Sequence, residues 1–518
     1  MTTSATGPDV PMAGPDVPAA STDVPAAGGT DVPPSRRTAR AGGTDVPPSR
    51  RTARMVKRQA AWKPAFLPFL VTAALAYAFS SALYSPKVTL MGWVVTVLWT
   101  LPVVSSFVGV TGAALTRRRI ARQRGWTDAA PALHDRLVVL VPTIGRNDTY
   151  PALERSVLSY CAFLPSWFPA LRVDILTEEG CEAAARIDAL AARSPLMRVV
   201  TVPKAYRTPN GTRFKARANH YAHELRIAEG EALDDVWVLH MDDDTGVGPD
   251  TAEQLARFIN AQRRAGPDGK HLAQGMLTYP RENAVNRLTW LADAIRPADD
   301  IARFAVLTGG GTPLAGLHGE LLLLRASIEA TIGWDFGPDS ICEDAHLALV
   351  FASRYKGRSD WFSGRSYGAS PSTMRDFLKQ RERWSWGLVG LAFNRTLPRR
   401  SRALLMYSVT TWVLGPFQHV GVVLAVGALL GDLNTSPVTP WILPLWAVTM
   451  GYAVWMYWEG LKINVSVSAH GRRLWWEPIA VVALMPFFAL WEAAGSFRGL
   501  LRCLRGVENQ FVVIAKPA

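Results

Sequence analysis

The chain has 518 residues, of which 49% are hydrophobic and 19% charged, and its formal net charge is +13. This size and composition allow one full soluble domain together with several membrane segments. They weigh against nucleic-acid binding, because Lys and Arg cluster beside apolar segments, where they suit anionic lipid better. The four cysteines have no metal-ligand or disulfide spacing.

The N-terminal segment, residues 1–60, is predicted to be a disordered tail rich in Pro, Gly and Ala. Asp-Val-Pro units recur in it, and the stretch Gly28–Arg40 is repeated letter for letter as Gly42–Arg54. Such a composition offers too little apolar surface to offset the entropy of ordering. No packed core is therefore expected here.

Four apolar segments without Asp, Glu, Lys or Arg are each long enough to cross a membrane as a helix. They are Ala65–Tyr84, Val88–Leu115, Ala403–Leu430 and Val438–Trp458. We predict two transmembrane helices in residues 61–116 and two in residues 403–458. Basic residues flank these segments on the side of the intervening region, which the positive-inside rule therefore places in the cytoplasm.

A fifth apolar stretch, Pro478–Trp491, is short and is interrupted by Pro486. Its length suits a re-entrant or interfacial helix better than a span. Residues 459–518 are accordingly predicted to hold this segment and a cytoplasmic tail, so that four spans are expected. The protein would then be a multi-pass integral protein of the cell membrane.

Between the spans, residues 135–395 alternate short apolar runs with polar helical stretches. Buried strands are predicted at Leu137–Val141, Leu171–Leu176, Arg198–Val202 and Val236–Met241. This alternation predicts an α/β domain with a largely parallel sheet. Ligands of such sheets bind beyond the carboxyl ends of the strands, where Asp242, Asp243 and Asp244 follow the fourth strand.

The aspartate triplet has two interpretations. It can be a solvated turn or a cap for the helix that begins near Pro249. Alternatively, because adjacent carboxylates repel one another unless a cation is bound, it can hold a hard divalent metal. In an alternating strand Asp242 and Asp244 face the same way, so both would serve one Mg²⁺ or Mn²⁺ that carries a diphosphate.

The pair Glu343-Asp344 precedes an apolar run, Leu347–Phe351, that predicts a buried helix. One interpretation is an acidic helix start that complements the macrodipole. The other is a general base that takes the proton from an attacking hydroxyl. Because adjacent residues do not share a helix face, one of the two is expected to reach the substrate, and we assign that role to Asp344.

A third group lies on a predicted helix, Thr373–Leu391, where Gln380, Arg383 and Trp384 share one face. A basic and aromatic helix beside a bilayer is often a surface anchor, and Arg381 would then meet lipid head groups. On the alternative interpretation Arg383 donates hydrogen bonds to a diphosphate, while Trp384 packs against the acceptor.

The order Asp-x-Asp, Glu-Asp, Gln-x-x-Arg-Trp resembles the pattern of inverting family 2 glycosyltransferases, which include cellulose and hyaluronan synthases. Three stretches resemble more narrowly the egghead-type β-1,4-mannosyltransferases: Val141–Arg146, Gly316–Gly319 and Ser370–Thr373 with the Gln-Arg-Glu-Arg-Trp run. The resemblance implies a GT-A fold, a nucleotide-sugar donor, one divalent metal and inversion at the anomeric carbon. GDP-mannose or a UDP-hexose would be the donor, and a lipid or glycan the acceptor.

The resemblance also implies roles for individual residues. Catalysis would fall to Asp344 and Glu343, and the metal to Asp242 and Asp244. The residues implied for the nucleotide sugar are Thr143, Glu178, Lys215, Asp242 and Arg383. Those implied for the acceptor are His318, Gln380 and Trp384. Arg217 departs from the family's Lys-x-x-Ala run, and the sequence leaves its role open.

The sequence therefore predicts metal-dependent transfer of a hexose to a membrane lipid-linked or glycan acceptor, with formation of a β-glycosidic bond. One alternative is a processive β-glycan synthase, which would need a channel. A second alternative is a membrane protein that binds nucleotide or lipid without catalysis.

Overall fold

The computed structural model describes residues 65–86, 89–124, 130–314, 316–431, 439–469 and 471–507. The predicted tail, residues 1–60, lies outside them.

Helices before the sheet are α1 Phe66–Leu83, α2 Leu90–Thr100 and α3 Val103–Arg124. Helices between strands are α4 Tyr150–Phe163, α5 Ala184–Ala191, α6 Phe214–Ala228, α7 Pro249–Ala265, α8 Arg287–Ala292, α9 Ile295–Asp299, α10 Ala305–Leu307, α11 Ala326–Ile332 and α12 Glu343–Arg354. After the last strand come α13 Met374–Phe393, α14 Arg399–Leu414, α15 Gln418–Leu430, α16 Ile442–Val467 and α17 Trp476–Leu504.

The strands of the described residues form one mixed sheet. They are β1 Arg136–Pro142, β2 Leu171–Glu178, β3 Met197–Val202, β4 Val236–His240, β5 Gly246–Val247, β6 Leu272–Met276, β7 Leu322–Arg325 and β8 Ser359–Tyr367. Their order is β3-β2-β1-β4-β7-β6-β8-β5. The first four strands pair in parallel, and β7 runs antiparallel to both β4 and β6.

The predicted α/β class is confirmed, and the four predicted strands are β1 to β4. These strands form because apolar residues dominate them, as expected for strands that are covered on both faces. A buried exception, Asp174 of β2, is paired with Arg172 and Arg198. One core cluster, which includes Leu137, Val139 and Phe258, packs α4 and α7 against the sheet, and a second, which includes Val138 and Ala222, packs α6 against it. The carboxyl ends of β1, β2 and β4 therefore open toward the same edge.

Three described stretches are apolar and long enough to cross a membrane, judged by length and composition: Phe66–Leu83, Leu90–Gln123 and Trp476–Leu504. The first two agree with the predicted spans before the domain, although Pro102 interrupts the second between α2 and α3. The third corrects the sequence prediction, because the short segment Pro478–Trp491 is part of a helix of 29 residues that continues through Pro486.

The two spans predicted after the domain also differ from the structure. A 3₁₀ turn, Gly415–Phe417, divides the predicted third span into α14 and α15. The fourth becomes α16, which extends past Trp458 to include Glu459 and Lys462 and is not among the three span candidates. The mean hydropathy of this segment does not reveal the helix break, because Gly and Pro alter the backbone geometry while changing the mean hydropathy little.

Candidate active site

All the residues predicted for catalysis, donor, acceptor and metal line one cavity of about 1280 Å³. They are Thr143, Glu178, Lys215, Asp242, Asp244, His318, Glu343, Asp344, Gln380, Arg383 and Trp384. These residues come from loops after β1, β2 and β4, from α6, from the approach to β7, and from α12 and α13. The structure thus brings together side chains that are far apart in the sequence.

The aspartate triplet lies in a turn, because β4 ends at His240. The prediction that Asp242 and Asp244 face the same way because they alternate along a strand is therefore wrong. Asp242 and Asp244 nevertheless converge: one carboxylate oxygen from each of them and one from Glu320 lie within 4.8 Å of one another. The middle residue, Asp243, accepts a hydrogen bond of 2.8 Å from Thr143 Oγ1 and so ties the loop after β1 to the triplet.

Three convergent carboxylates suit a hard divalent cation, which binds oxygen ligands and offsets their mutual repulsion. Glu320 was missed by the sequence reasoning. It directly follows the Gly316–Gly319 stretch, and no spacing rule connects it to a triplet that ends at Asp244. We define the donor end of the cavity as Asp242, Asp244, Glu320 and Lys215.

Two non-glycine residues adopt a left-handed backbone beside the donor end. Phe214, immediately before Lys215, has φ 57°, and Leu321, immediately after Glu320, has φ 52°. Each such conformation costs about 1–3 kcal/mol and persists only where its surroundings impose it. The backbone strain is therefore located at the two positions that aim a lysine and a carboxylate into the cavity.

Lys215 links the three convergent carboxylates to the acidic pair at the start of α12. Its ammonium donates to Asp242 and, at 3.0 Å, to the carbonyl of Gly319, and it lies 3.7 Å from Glu343 Oε1. Burial by itself lowers the pKa of Lys215, but Asp242 and Glu343 outweigh burial, so that the net pKa is raised. The amine is therefore held as a cation between two acidic groups.

Glu343 and Asp344 occupy the first turn of α12, as predicted. The Asp344 Oδ1 atom accepts a hydrogen bond of 2.7 Å from the Ala345 amide. Burial raises the pKa of Glu343 to about 7, with Lys215 opposing the rise and the charge of Asp344 adding to it. Burial likewise raises the pKa of Asp344, against Lys215. A carboxylate with a raised pKa is a better proton acceptor.

Gly319 is the point where these groups meet. A β-carbon placed on it would lie 2.7 Å from Lys215 Nζ, 3.5 Å from Asp344 Oδ2 and 3.7 Å from Glu343 Oε1. The first distance is too short for a real contact, so any side chain here would displace the lysine. The close approach of lysine and acids therefore requires glycine.

One wall of the cavity is formed by the end of β2 and by α6. Arg217, whose role the sequence left open, donates to both carboxylate oxygens of Glu178 at 2.6 and 2.8 Å. Arg217 also donates to the Pro203 carbonyl at 2.7 Å, which anchors the pair to the loop after β3. A ligand that uses Glu178 would therefore meet a fixed carboxylate with a guanidinium beside it.

His318 has a partner that the sequence did not indicate. Its Nε2 atom lies 2.7 Å from Asp300 Oδ1, and Asp300 Oδ2 accepts from the Leu277 amide at 2.6 Å. The Phe304 ring lies 4.3 Å from the imidazole, centroid to centroid. Burial lowers the pKa of His318, but Asp300 outweighs this and the net pKa is raised. This pair fixes the orientation of the imidazole at the cavity wall.

The motif helix α13 is held by a buried ionic cluster. Arg381, which the surface-anchor interpretation placed at lipid head groups, is fully buried and donates to Asp293 and to Glu492 of α17. It also donates to Gln380 Oε1 at 2.5 Å. The guanidinium groups of Arg296 and Arg381 lie 4.2 and 4.6 Å from the Trp384 ring centre. Trp384 and Gln380 are therefore positioned by neighbouring side chains, while Arg383 lines the cavity.

Comparison with known proteins gives consistent matches. The family described as glycosyl transferase family group 2 matches residues 237–458. The chain is 32% identical to the β-1,4-mannosyltransferase egh of Drosophila melanogaster over 325 residues, which are 62% of this chain and 66% of that protein. It is also 32% identical to the β-1,4-mannosyltransferase bre-3 of Caenorhabditis elegans over 331 residues, 62% of this chain and 68% of that protein.

The chain thus spans about two thirds of the length of these two relatives and 49% of the bre-3 protein of Caenorhabditis briggsae. Among solved structures, it is similar to the mannosyltransferase PcManGT of Pyrobaculum calidifontis in complex with GDP-Man and Mn²⁺. That match has 16% identity and a TM-score of 0.44, and it covers 79% of this chain and 100% of the other.

Proposed function

Since this chain belongs to glycosyl transferase family group 2, we propose that it transfers mannose from a nucleotide-diphosphate sugar to a hydroxyl of a lipid-linked acceptor, with inversion to a β-linkage. The relatives' names supply the sugar, because both are β-1,4-mannosyltransferases. The sequence resemblance supplies the inversion and favours GDP-mannose, with a UDP-hexose as the alternative donor.

The observation that carries this proposal is the meeting of two acidic groups in one cavity. Asp242, Asp244 and Glu320 form a site for a divalent cation, and Asp344 lies beside Gly319, near the Lys215 ammonium that donates to Asp242. A glycosyltransferase needs both groups, one beside the leaving diphosphate and one beside the attacking hydroxyl. A protein that only binds nucleotide needs no buried base.

Individual residues of the chain would have separate roles in the reaction. Asp344 accepts the proton of the acceptor hydroxyl as the oxygen attacks the anomeric carbon, and its raised pKa suits that task. Lys215 and Arg383 place positive charge beside the diphosphate as its bond to the sugar breaks. A bound Mg²⁺ or Mn²⁺ would add neutralisation of the charge that develops on the leaving group.

His318, Gln380 and Trp384 would orient the acceptor. All three line the cavity and each is held by a second side chain: Asp300 holds His318, and Arg381 contacts both Gln380 and Trp384. Such fixed groups lower the barrier because the acceptor hydroxyl does not have to be ordered at the moment of reaction.

We also propose that the protein is a multi-pass membrane protein whose domain, residues 135–395, faces the cytoplasm. Three apolar stretches support membrane association. Arg117, Arg118 and Arg119 near the end of α3 support the orientation, because basic residues are retained on the cytoplasmic side.

A donor screen tests the proposed activity. Purified protein in nanodiscs receives GDP-mannose, UDP-glucose, UDP-N-acetylglucosamine or UDP-galactose with Mn²⁺ and extracted membrane lipids, and nucleotide release is measured. We expect release from GDP-mannose that depends on lipid and stops on chelation. No release from any donor would contradict the proposal, and products that carry many added sugars would favour the processive synthase instead.

A further inference from the structure

The cavity of the candidate site continues past the motif residues and between the apolar helices. Val104 of α3, Leu405 of α14, Ala453 of α16 and Met485 of α17 all line it. Two of these helices belong to the stretches that are long and apolar enough to cross a membrane. We call this part of the cavity the membrane end. Its walls at these four positions offer no hydrogen-bond donor or acceptor to a ligand.

A break in helical structure lies on the wall of the membrane end. The 3₁₀ turn Gly415–Phe417 separates α14 from α15, and Gly415, Pro416, Gln418 and His419 all line the cavity. Within a bilayer, non-helical backbone occurs only where it is buried in protein or lines a cavity. The position of the break therefore agrees with a cavity that extends among the helices.

Two buried polar atoms of the membrane end have no hydrogen-bond partner among the residues that the structure describes. They are Gln418 Oε1 and Tyr457 Oη, in side chains that are 5% and 2% exposed. Leaving a buried polar group unsatisfied costs about 1–3 kcal/mol. Because both residues line the cavity, a ligand with a hydrogen-bonding group beside each of them would remove the cost.

We propose that the membrane end holds the apolar chain of the lipid acceptor, while Gln418 and Tyr457 each hydrogen-bond a polar group of that lipid. The apolar side chains that Val104, Leu405, Ala453 and Met485 present to the cavity suit a hydrocarbon chain better than a glycan, which would need a polar partner for each hydroxyl group. The two unpartnered groups argue against a plain hydrocarbon. This inference rests on the proposed function for its acceptor, but it predicts binding that can be measured without turnover.

The test uses methyl, octyl and dodecyl β-glucoside as probes of chain length. Their binding to the protein in nanodiscs is measured as the rise in unfolding temperature, since a ligand of the native state stabilises it by an amount that grows with the ratio of ligand concentration to Kd. Each buried methylene contributes about 0.8 kcal/mol, or about fourfold in affinity. We expect affinity for the wild-type protein to rise steeply from methyl to dodecyl.

Ala453→Phe fills the membrane end, and Ala74→Phe is its matched control on the exposed side of α1. Longer glucosides also partition into the bilayer, but this contribution is the same for both variants. We expect Ala453→Phe to weaken dodecyl glucoside binding at least about tenfold while methyl glucoside binding is unchanged, as expected for the loss of a few buried methylenes. Ala74→Phe should bind like the wild type.

Tyr457→Phe tests the polar contact, with the exposed Tyr77→Phe as control. A purely structural tyrosine without a partner would be neutral or stabilising when its hydroxyl is removed. Under the proposal, octyl glucoside binding weakens about fivefold, which corresponds to one hydrogen bond of about 1 kcal/mol. Gln418→Leu should act in the same direction.

Chain-length dependence that is equal in Ala453→Phe and Ala74→Phe would overturn the inference, as would unchanged binding in both Tyr457→Phe and Gln418→Leu. If the dependence on chain length is lost only in Ala453→Phe, but the protein releases nucleotide from no donor, the lipid site is supported and the proposed transfer is rejected. The two claims therefore fail separately.

Discussion

The donor end and the membrane end of the cavity differ in how their polar groups are satisfied. At the donor end Lys215 already contacts Asp242, Gly319 and Glu343. At the membrane end Gln418 Oε1 and Tyr457 Oη have no hydrogen-bond partner among the described residues. Burying an unpaired charge costs a large free energy, so the protein without ligand must pair its buried charges. An unpaired hydroxyl or amide costs much less and can stay without a partner until a ligand binds.

This difference predicts that substitutions at the two ends of the cavity change different measurable properties. Substitutions at the donor end should reduce turnover and leave the dependence on acceptor chain length unchanged. Substitutions at the membrane end should change acceptor affinity and leave nucleotide and metal binding unchanged. The following predictions are arranged from the largest expected effect to the smallest.

Asp344→Asn removes the proposed base while preserving the shape of the side chain. We expect nucleotide release in the presence of lipid to fall about 10²–10⁴-fold, the usual contribution of general base catalysis. Stabilisation by nucleotide should persist. Asp268→Asn, at a side chain that is 96% exposed, is the control and should behave like the wild type. Equal activity in the two variants would remove Asp344 from catalysis.

Gly319→Ala introduces a methyl group 2.7 Å from the Lys215 ammonium. The lysine must move, and displacement of about 1 Å in a catalytic group can cost about 10²-fold in rate. We expect kcat to fall while the protein stays folded. Gly390→Ala, which has open space around its β-carbon, is the matched control. Activity retained by Gly319→Ala would show that the close packing around Lys215 is not required.

Glu320→Gln tests the third metal ligand. Loss of groups that merely support metal ligands costs about 10–100-fold in affinity, so we expect the Mn²⁺ concentration for half-maximal activity to rise at least about tenfold. Asp243→Asn is the comparison variant, because Asp243 bonds Thr143 and lies outside the carboxylate trio. Its metal requirement should match the wild type. The assignment of Glu320 is wrong if both variants titrate alike.

The pH dependence of kcat/KM tests the acidic pair. Because burial raises the pKa values of Glu343 and Asp344, and a base must be ionised to accept a proton, activity should rise with pH through this region. Glu343→Gln removes a negative charge that opposes ionisation of Asp344, so the acidic limb should move to lower pH. Glu253→Gln, which alters a carboxylate bound to Arg257, should leave the limb in place.

The sequence predicted the parts of the molecule that depend on local pattern. Strands β1 to β4 follow from largely apolar runs, and Glu343-Asp344 opens α12 because acidic residues suit a helix start. The motif residues were assigned to one site through the family resemblance, and the structure places them around one cavity.

The parts that the sequence did not predict depend on long-range packing. Glu320 meets Asp242 only because β7 pairs with β4. Asp300, the first residue of the π-helical turn Asp300–Phe304, meets His318 only in the folded chain. Arginine side chains are usually exposed, but Arg381 is buried in the fold, where it forms ion pairs with Asp293 and Glu492. The division of the third predicted span at Gly415 is invisible to a sum over hydropathies.

Mass spectrometry of the lipid product tests the central claim most directly, namely that one cavity joins a nucleotide-sugar site to a lipid-acceptor site. The protein in nanodiscs is incubated with GDP-mannose, Mn²⁺ and membrane lipids. We predict a lipid whose mass has increased by one hexose and which is absent after chelation or with Asp344→Asn. Nucleotide release that yields only free mannose, or an unchanged amount of glycolipid from Asp344→Asn, would contradict the account.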